Sequence, residues 1–522
     1  MHHVSVTEND LIAACPFLCG KVILRPMSYP VSRRFFLSAT AATLATGAFA
    51  DAPDGSLRPR LRGEGIAKKA VAGPEVIVAN AKLGGQVCYS VADAKTGLRL
   101  EGMNPQTNTP PASTAKAITA LYALKVLGSA HRFETQVVAT GTVTDGIVSG
   151  DLVLTGGGDP SLDTNALATL AANVKAAGIR EVRGGLVIYD GGYPTVRTID
   201  PDQPAHLGYS PAVAGIALNY NRVHFEWKRA GADYAVTMDA RSDKYRPDVV
   251  MAQMRVEDRA APVYTYVDSG ERDDWTVARG ALGAEGARWL PVRKPALYAG
   301  DVFRTMLRSQ GIVVPAAKVT IARPSGQVVA RQFSDELHVL LKDMLKYSTN
   351  LTAEMVGLAA TVKRGGTPQT LKDSASAMNE WVRTDLGARG IELVDHSGLS
   401  EDSRVTADGM VGALVKVYGD NELRPLLKEI PLRDAKGRPM KSGPITVHAK
   451  TGTLNFVSGL AGYMTAHDGT VMAFSIFAAD EDRRAKLTRA QRERPEGARW
   501  YNGRAKNMQQ ELIERWGALY GA

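Results

Sequence analysis

Apolar residues recur at three- and four-residue intervals in several stretches of the chain, and this spacing predicts amphipathic helices. In the stretch 114–127, Ile118, Leu121 and Leu124 follow this spacing, and Gly128 ends the predicted helix. The same periodicity predicts further helices over 165–177, 335–347, 351–363 and 369–386, and a last helix with the apolar stripe Met508, Leu512, Trp516 and Leu519.

Short β-branched runs separated by Gly, Pro and Asp replace this periodicity between about residues 133 and 325, and they predict strands. Outside this region, two strands are predicted within 76–100 around a turn at 93–97, and a tight turn is predicted at 467–469. The pattern therefore predicts an α+β protein whose β-rich middle third is long enough for one or two separate domains. The predicted strands are 137–148, 151–154, 185–189, 223–227 and 234–239, and near the end 445–449, 460–464 and 470–478.

The first fifty residues carry the pattern of an export signal. Arg33 and Arg34 precede an Ala- and Thr-rich apolar stretch over 35–50, which ends in a small-x-small sequence at Ala48-Phe49-Ala50. This arrangement is typical of a twin-arginine signal peptide cleaved near Ala50, so that residues 1–50 are an upstream extension plus the signal peptide. The apolar stretch is too short and alanine-rich to span a membrane. We therefore expect translation to start at Met27 and the product to be periplasmic, with at most peripheral membrane contact.

The composition excludes some partners without identifying one. The 522 residues carry 63 Lys and Arg against 54 Asp and Glu, a formal charge of +9, and 44% are apolar, which fits a soluble globular protein. No block of basic residues interleaved with aromatic ones occurs, so we expect no nucleic-acid partner. The nine His are scattered and H-E-x-x-H is absent, so we expect neither a metal nor a cofactor. Cys88 is expected to be buried in a strand, and the charged stretch 480–494 to be a solvated surface segment.

Three short polar motifs form a candidate nucleophilic site. Ser113 and Lys116 lie one turn apart at the start of a predicted helix, where a lysine with a lowered pKa could activate the serine. Ser348 and Asn350 lie in the polar break between two predicted helices. Lys450 begins the third motif, 450–453, at the end of a predicted strand, where backbone N–H groups can stabilise an oxyanion. Any one motif alone is common in helix caps, loops and strand ends.

The order S-x-x-K, S-x-N and K-T-G, on helix, loop and strand, is the signature of penicillin-binding proteins and class A β-lactamases. Over about residues 75–520 the chain resembles the low-molecular-mass class C penicillin-binding proteins of the D-alanyl-D-alanine carboxypeptidase/endopeptidase type, peptidase family S13. The long separation between Ser113 and Ser348 leaves room for an insertion that β-lactamases lack. The segments 154–162 and 395–400 are also similar to family segments, although His396 stands where the family has glycine.

The resemblance implies a penicillin-recognising, serine transpeptidase-like domain, an antiparallel sheet flanked by helices, formed by 73–132 and 333–522. A β-rich insertion over 133–332 is expected to form one or two accessory domains. The implied activity is that of a serine-type hydrolase, which cleaves the D-Ala-D-Ala ends and cross-links of peptidoglycan stem peptides through an acyl-serine. β-Lactam antibiotics are expected to acylate the same serine.

The resemblance also assigns roles to the first two motifs. Ser113 is expected to be the acylated nucleophile and Lys116 its base. Ser348 and Asn350 are expected to line the proton path and to hold the substrate amide.

The third motif is expected to bind the end of the substrate. Lys450, Thr451 and Thr453 are the expected ligands of the terminal D-Ala carboxylate, while Gly452 allows close approach of the substrate. The backbone N–H groups of Ser113 and Thr453 are expected to form the oxyanion hole.

Recognition of the diamino-acid side chain of the stem peptide is expected to differ from the family pattern. The family often has an arginine after G-L-S, where this chain has Glu401. Arg404 is a candidate replacement, and Asp202 is a candidate for contacting the side-chain amine.

Two other hypotheses remain open. A β-lactamase or an S-x-x-K esterase would use the same motifs, but the long insertion argues against both. A non-catalytic cell-wall scaffold would use the inserted region as its interaction surface, but the three intact motifs argue against it.

Overall fold

The computed structural model describes residues 71–434, 436–440 and 443–521. The predicted export signal and the predicted start at Met27 lie outside the described residues. Within the described ranges no helix is both long and apolar enough to cross a membrane. The helices of this part are α1 (Pro74–Ala81), α2 (Ala115–Leu127), α3 (Thr164–Ala176), α4 (Pro295–Ser309), α5 (Leu337–Tyr347), α6 (Asn350–Lys363), α7 (Leu371–Thr384), α8 (Ala407–Val417), α9 (Glu481–Ala485) and α10 (Ala498–Tyr520).

The strands belong to one long antiparallel sheet and several smaller sheets. In chain order they are β1 (Gln86–Asp93), β2 (Arg99–Met103), β3 (Glu134–Ala139), β4 (Val143–Thr144), β5 (Ile147–Val148), β6 (Leu152–Thr155), β7 (Glu181–Val182), β8 (Leu186–Tyr189), β9 (Arg222–Ala230), β10 (Asp233–Asp239), β11 (Ala252–Glu257), β12 (Tyr264–Asp268), β13 (Asp273–Ala278), β14 (Glu285–Pro291), β15 (Lys318–Thr320), β16 (Gln327–Phe333), β17 (Ile391–Glu392), β18 (Arg404–Val405), β19 (Lys428–Glu429), β20 (Thr446–Leu454), β21 (Val457–Thr465) and β22 (Val471–Ala479).

The long sheet has six strands in the order β19-β20-β21-β22-β1-β2, and helices cover both of its faces. On one face, Phe474 and Ile476 of β22 pack in a core with Trp516 of α10. On the other face, Ala473 and Phe477 join a core with α2 and α8. Because both faces are covered, all nine residues of β22 are buried, and the strand is apolar at consecutive rather than alternate positions.

The middle of the chain has a core of its own. Its five-stranded sheet, in the order β15-β8-β6-β3-β16, shares a buried cluster with α3, α4 and three three-stranded sheets, and the buried members of this cluster all fall between Val137 and Ala330. The two ends of this region are held together, since the N–H of Phe133 donates to Ser334 Oγ at 2.9 Å. The division into domains with boundaries at 133 and 332 stays a prediction.

The structure confirms most predicted elements and corrects three of them. Residues 76–81 are helical rather than extended, because Pro74 starts α1 and the four-residue spacing of Ile77 and Ala81 buries one helical face. The run 137–148 forms parts of three strands, with a turn at Asp145 and Gly146 in which both residues have positive φ. Strand β20 continues to Leu454, so the K-T-G motif lies inside a strand rather than after one.

Candidate active site

Ser113 lies in a short 3₁₀ turn, Ala112–Thr114, directly before α2. The φ angle of Ala112 is +47°, a left-handed conformation that costs a non-glycine residue energy and is characteristic of functional turns. Ser113 is half-buried, whereas its neighbours on either side are buried. The turn therefore leaves the serine side chain partly exposed at the start of a helix whose residues 115–124 are all buried.

Lys116 lies one turn further along α2 and is fully buried. Its Nζ donates to Ser113 Oγ at 3.1 Å, to Asn350 Oδ1 at 2.7 Å and to the Ser397 carbonyl at 2.7 Å. Burial lowers the pKa of Lys116 to about 8, against the opposing effect of the Asp395 and Glu354 carboxyl groups. The amine can therefore lose its proton close to neutral pH while it remains hydrogen-bonded to the hydroxyl of Ser113.

Ser348 and Lys450 form a second serine–lysine pair. Ser348 ends α5 in a left-handed conformation, with φ of +59°, at the break before α6. Lys450 Nζ donates to Ser348 Oγ at 3.0 Å and to the Thr451 carbonyl at 2.7 Å. The pKa of Lys450 is lowered to about 6, chiefly by burial and then by the charges of Lys116 and Lys428. The charge of Lys116 in the first motif thus disfavours the charged form of Lys450 in the third.

A cleft of about 300 Å³ opens over these residues. The inserted region contributes to its wall, since the Tyr209 carbonyl accepts a bond from Asn350 Nδ2 at 2.8 Å. The structure therefore brings all three motifs to one cleft. The residues that line it are Ser113, Gln203, Tyr209, Ser348, Asn350, Gly398, Leu399, Thr453, Leu454, Asn455, Arg484, Arg492, Glu493 and Asn502.

Glycine residues let strand β20 lie directly against the turn that carries Ser113. A Cβ on Gly452 would come within 2.7 Å of the Pro111 carbonyl oxygen and 3.2 Å of the Ser113 nitrogen. Its partner on β21 is Gly459, where a Cβ would lie 3.2 Å from the same oxygen. The K-T-G glycine is therefore required for close packing of backbone on backbone. Thr453 lines the cleft one residue further on, and Thr451 is exposed on the same strand.

The two candidates for side-chain recognition lie away from the serine–lysine pairs. Arg404 Nη2 donates to Glu481 Oε2 at 3.0 Å, and its Nη1 donates to the carbonyls of Glu401 and Ser403. Among the described residues, Arg404 is not one that lines the cleft. The Asp202 side chain is 65% exposed, and its nearest cation is Arg492, at 4.0 Å. Substrate contacts by Arg404 and Asp202 stay predictions, and the bonds of Arg404 to Glu481 and the loop carbonyls argue against its role.

Sequence analysis missed two arginines in the cleft wall. The segment 480–494 was expected to be solvated, and this is wrong for Arg484, which is 5% exposed, and for Arg492. Glu401 forms ion pairs with both guanidinium groups: its Oε2 lies 3.2 Å from Arg484 Nε, and its Oε1 accepts from Arg492 Nη2 at 3.2 Å. The only hint in the sequence was Glu401, because an acidic residue at a cleft needs nearby cations. The sequence does not show which cations these are, since both arginines lie far from Glu401 along the chain.

The remaining sequence predictions concern single residues. Cys88 is buried in β1 as predicted, and burial raises the pKa of its thiol to about 11. His396, at the family's glycine position, fits because its ring lies over Gly357, where a Cβ would come within 2.3 Å of it, and its Nε2 bonds to Ser374 Oγ at 2.8 Å. In the family-like segment 154–162, Asp159 accepts from the N–H of Ser161 at 2.8 Å.

Comparison with known proteins places the chain in a family. The profile of the D-Ala-D-Ala carboxypeptidase 3 (S13) family matches residues 73–494, and the chain belongs to that family. The D-alanyl-D-alanine carboxypeptidase of Actinomadura sp. (strain R39) is 29% identical over 418 residues, which cover 74% of this chain and 76% of the relative. The D-alanyl-D-alanine carboxypeptidase DacB of Haemophilus influenzae is 27% identical over 396 residues, which cover 72% of this chain and 81% of the relative.

The crystal structure of penicillin binding protein 4 (dacB) from Haemophilus influenzae has the same fold. The two structures superpose with a TM-score of 0.68 at 22% identity, over 85% of this chain and 99% of that chain. The same protein complexed with a β-lactam superposes with a TM-score of 0.66 at 22% identity, over 85% of this chain and 99% of that chain. This likeness confirms the predicted fold class, an α+β protein with a penicillin-recognising domain and additional sheets.

Proposed function

We propose that this chain is a serine-type D-Ala-D-Ala carboxypeptidase and D,D-endopeptidase that acts on peptidoglycan stem peptides and their cross-links. The observation that carries the proposal is the bond of 3.1 Å between Ser113 Oγ and the buried amine of Lys116, at a cleft that Ser348 and Asn350 also line. Family membership and relatives that are D-alanyl-D-alanine carboxypeptidases support the substrate class.

The proposed first step is acylation of Ser113. Neutral Lys116 accepts the proton of Ser113 Oγ as the oxygen bonds to the carbonyl carbon of the penultimate D-Ala. The backbone N–H groups of Ser113 and Thr453 stabilise the oxyanion. When the C–N bond breaks, the leaving amine takes a proton through the path lined by Ser348. The amine belongs to terminal D-Ala in a stem peptide, or to the partner peptide in a cross-link.

Hydrolysis of the ester completes the proposed cycle. Water attacks the acyl carbonyl carbon, one of its protons returns to Ser113 Oγ through Lys116, and the stem peptide leaves as a carboxylic acid. A β-lactam follows the same first step, but its cleaved ring stays attached to the acyl group, so the ester persists. No cofactor takes part in either step.

Lys450 is proposed to bind the terminal carboxylate of the substrate together with Thr451 and Thr453. Burial, and then the charges of Lys116 and Lys428, lower the pKa of this lysine to about 6. A bound carboxylate favours the charged form and raises this pKa. Binding of substrate is therefore expected to take up a proton at neutral pH.

The test uses two substrates, a stem pentapeptide that ends in D-Ala-D-Ala and a cross-linked peptide dimer. Released D-Ala and released monomer are measured separately, with and without prior treatment with benzylpenicillin. We expect both products, and we expect benzylpenicillin to abolish both. Neither product together with rapid destruction of benzylpenicillin would indicate a β-lactamase. Neither product and intact benzylpenicillin would indicate an esterase or a scaffold.

Gly452→Ala is expected to reduce the rate of acylation by benzylpenicillin by about 100-fold, because the new Cβ meets the Pro111 carbonyl at 2.7 Å and displaces the Ser113 turn. Acylation kinetics with a fluorescent penicillin measure the effect. Gly412→Ala, on α8 with no neighbouring atom within 4 Å of the added Cβ, is the matched control and should acylate like the natural chain. Equal rates for Gly452→Ala and Gly412→Ala would contradict the role given to the close contact.

We further propose that the protein works in the periplasm after twin-arginine export. The pair Arg33-Arg34 and the sequence Ala48-Phe49-Ala50 support this proposal. Replacing both arginines by lysine should retain the chain in the cytoplasm, as read by cell fractionation.

A further inference from the structure

Two buried carboxyl groups that the proposed mechanism does not use interact electrostatically with Lys116. Glu354 belongs to α6 and is fully buried, and Asp395 begins the 395–400 loop and is 2% exposed. Burial of an ionised carboxylate is costly unless hydrogen bonds and an opposite charge compensate for it. The positions of both groups therefore need a physical reason.

Glu354 binds the 395–400 loop through both of its carboxylate oxygens. Its Oε2 accepts from the N–H of His396 at 3.0 Å, and its Oε1 accepts from the N–H of Ser397 at 2.9 Å. A proton on either oxygen would face a backbone donor, so these bonds favour the ionised form. The Ser397 residue that Glu354 holds in turn presents its carbonyl to Lys116 Nζ at 2.7 Å.

Asp395 binds the other half of the same loop. Its Oδ1 accepts from the N–H of Gly398 at 2.6 Å, and its Oδ2 accepts from the N–H of Ser400 at 2.7 Å. Gly398 and its neighbour Leu399 line the cleft. Four backbone N–H groups of one short loop are thus held by two buried carboxyl groups.

Lys116 shares its buried environment with several ionisable groups. Burial raises the pKa values of Glu354 and Asp395, the charge of Asp395 raises that of Glu354 further, and the charge of Lys116 lowers both. The other ionisable groups of this environment are Lys450 on β20, the buried Asp200, which interacts with Asp395, and His396, whose pKa burial lowers to about 3 so that it is neutral. Lys116 therefore offsets part of the cost of burying both carboxylates.

We propose that Glu354 and Asp395 are positioning residues, which hold the 395–400 loop against Lys116 and set the proton affinity of its amine. They act through the Ser397 carbonyl and through their negative charge, and neither is required to touch the substrate. This inference rests on the proposed function, in which Lys116 accepts the proton of Ser113.

The test compares pH profiles of acylation by benzylpenicillin for the natural chain and for Glu354→Gln. Removing a negative charge beside an ammonium group disfavours the charged form, so the pKa of Lys116 falls and the neutral base is available at lower pH. We expect the acid limb of the profile to move down by about one pH unit. We also expect the plateau rate to fall by about tenfold, because the amide nitrogen cannot accept from one of the two backbone N–H groups.

Thr119→Val is the matched control, because Thr119 Oγ1 donates to the His396 carbonyl at 2.6 Å and so contacts the same loop without a charge. We expect its acid limb to stay where it is in the natural chain. A limb that stays in place in Glu354→Gln, or that moves equally in Thr119→Val, would overturn the proposal. If Glu354→Gln does not fold, Asp395→Asn removes the other charge and is expected to shift the limb in the same direction.

A second readout separates this inference from the proposed function. The ¹³Cε resonance of Lys116, assigned by its loss in a Lys116→Met variant, titrates without any turnover. A titration midpoint that is lower in Glu354→Gln than in the natural chain supports the positioning role even where no acylation occurs. Unchanged midpoints in both charge-removing variants would refute the role even where acylation is rapid.

Discussion

Ser113→Ala is expected to reduce the rate of D-Ala release by about 10⁶-fold, the scale of effect when a serine hydrolase loses its nucleophile. The reason is that Ser113 Oγ is the atom that forms the acyl bond in the proposed mechanism, and the alanine side chain offers no substitute. Release of D-Ala from a stem pentapeptide, followed in single-turnover and steady-state experiments, measures the loss. The thermal midpoint should change little, because the hydroxyl is half-buried at the cleft.

Ser475→Ala provides the control for the loss of a serine hydroxyl. Ser475 is buried in β22 and donates to the Ala407 carbonyl at 2.9 Å, away from the cleft. We expect this variant to lose some stability, about 1 kcal/mol, and to release D-Ala at the natural rate. If Ser113→Ala retained more than a small fraction of the activity of Ser475→Ala, another group would be the nucleophile.

Lys116→Met is expected to reduce the rate of acylation by about 10⁴-fold, the upper range for loss of a general base. Since only the neutral amine accepts a proton, the natural chain should acylate slowly below the Lys116 pKa of about 8 and faster as pH rises through it. The variant should lose this acid limb. It should also be less stable by about 3 kcal/mol, because the carboxyl groups of Glu354 and Asp395 lose their buried cation.

Lys125→Met, at the other end of α2, is the matched control. Lys125 makes surface ion pairs with Asp420 at 2.8 Å and Glu422 at 3.1 Å, and such pairs contribute little to stability. Its pH profile should match that of the natural chain. An acid limb near pH 6 in the natural chain, retained in Lys116→Met, would assign the base to Lys450 instead, whose pKa is lowered to about 6.

The motifs could be predicted from sequence because each is a local pattern with a local cause. Ser113 and Lys116 share a helical face at three-residue spacing, and Ser348 ends one amphipathic helix before the next begins. The α+β class followed from the helix and strand patterns, whereas the penicillin-recognising fold was expected only through the resemblance. The resemblance assigned Lys450 and Ser348 to one site, but their hydrogen bond was not predicted, since no local pattern joins two residues so far apart.

The residues that sequence analysis missed are those whose roles depend on distant partners. Glu354 is one polar residue in an apolar helix, and its contacts with the 395–400 loop arise only when α6 packs beside that loop. Arg484 lies in a charged stretch whose composition is typical of solvated surface, yet it lines the cleft and forms an ion pair with Glu401. Arg404, the candidate replacement for the family's arginine, forms an ion pair with Glu481.

The nucleophile itself is identified by mapping where benzylpenicillin attaches to the natural chain. The protein is treated with benzylpenicillin and digested, and its peptides are sequenced by tandem mass spectrometry. The intact mass of the undigested protein is measured over time in parallel. We expect one long-lived adduct, on the hydroxyl of Ser113 in the peptide that contains Lys116. An adduct on Ser348, or penicillin left intact with no adduct on any serine, would contradict acylation of Ser113 and with it the proposed mechanism.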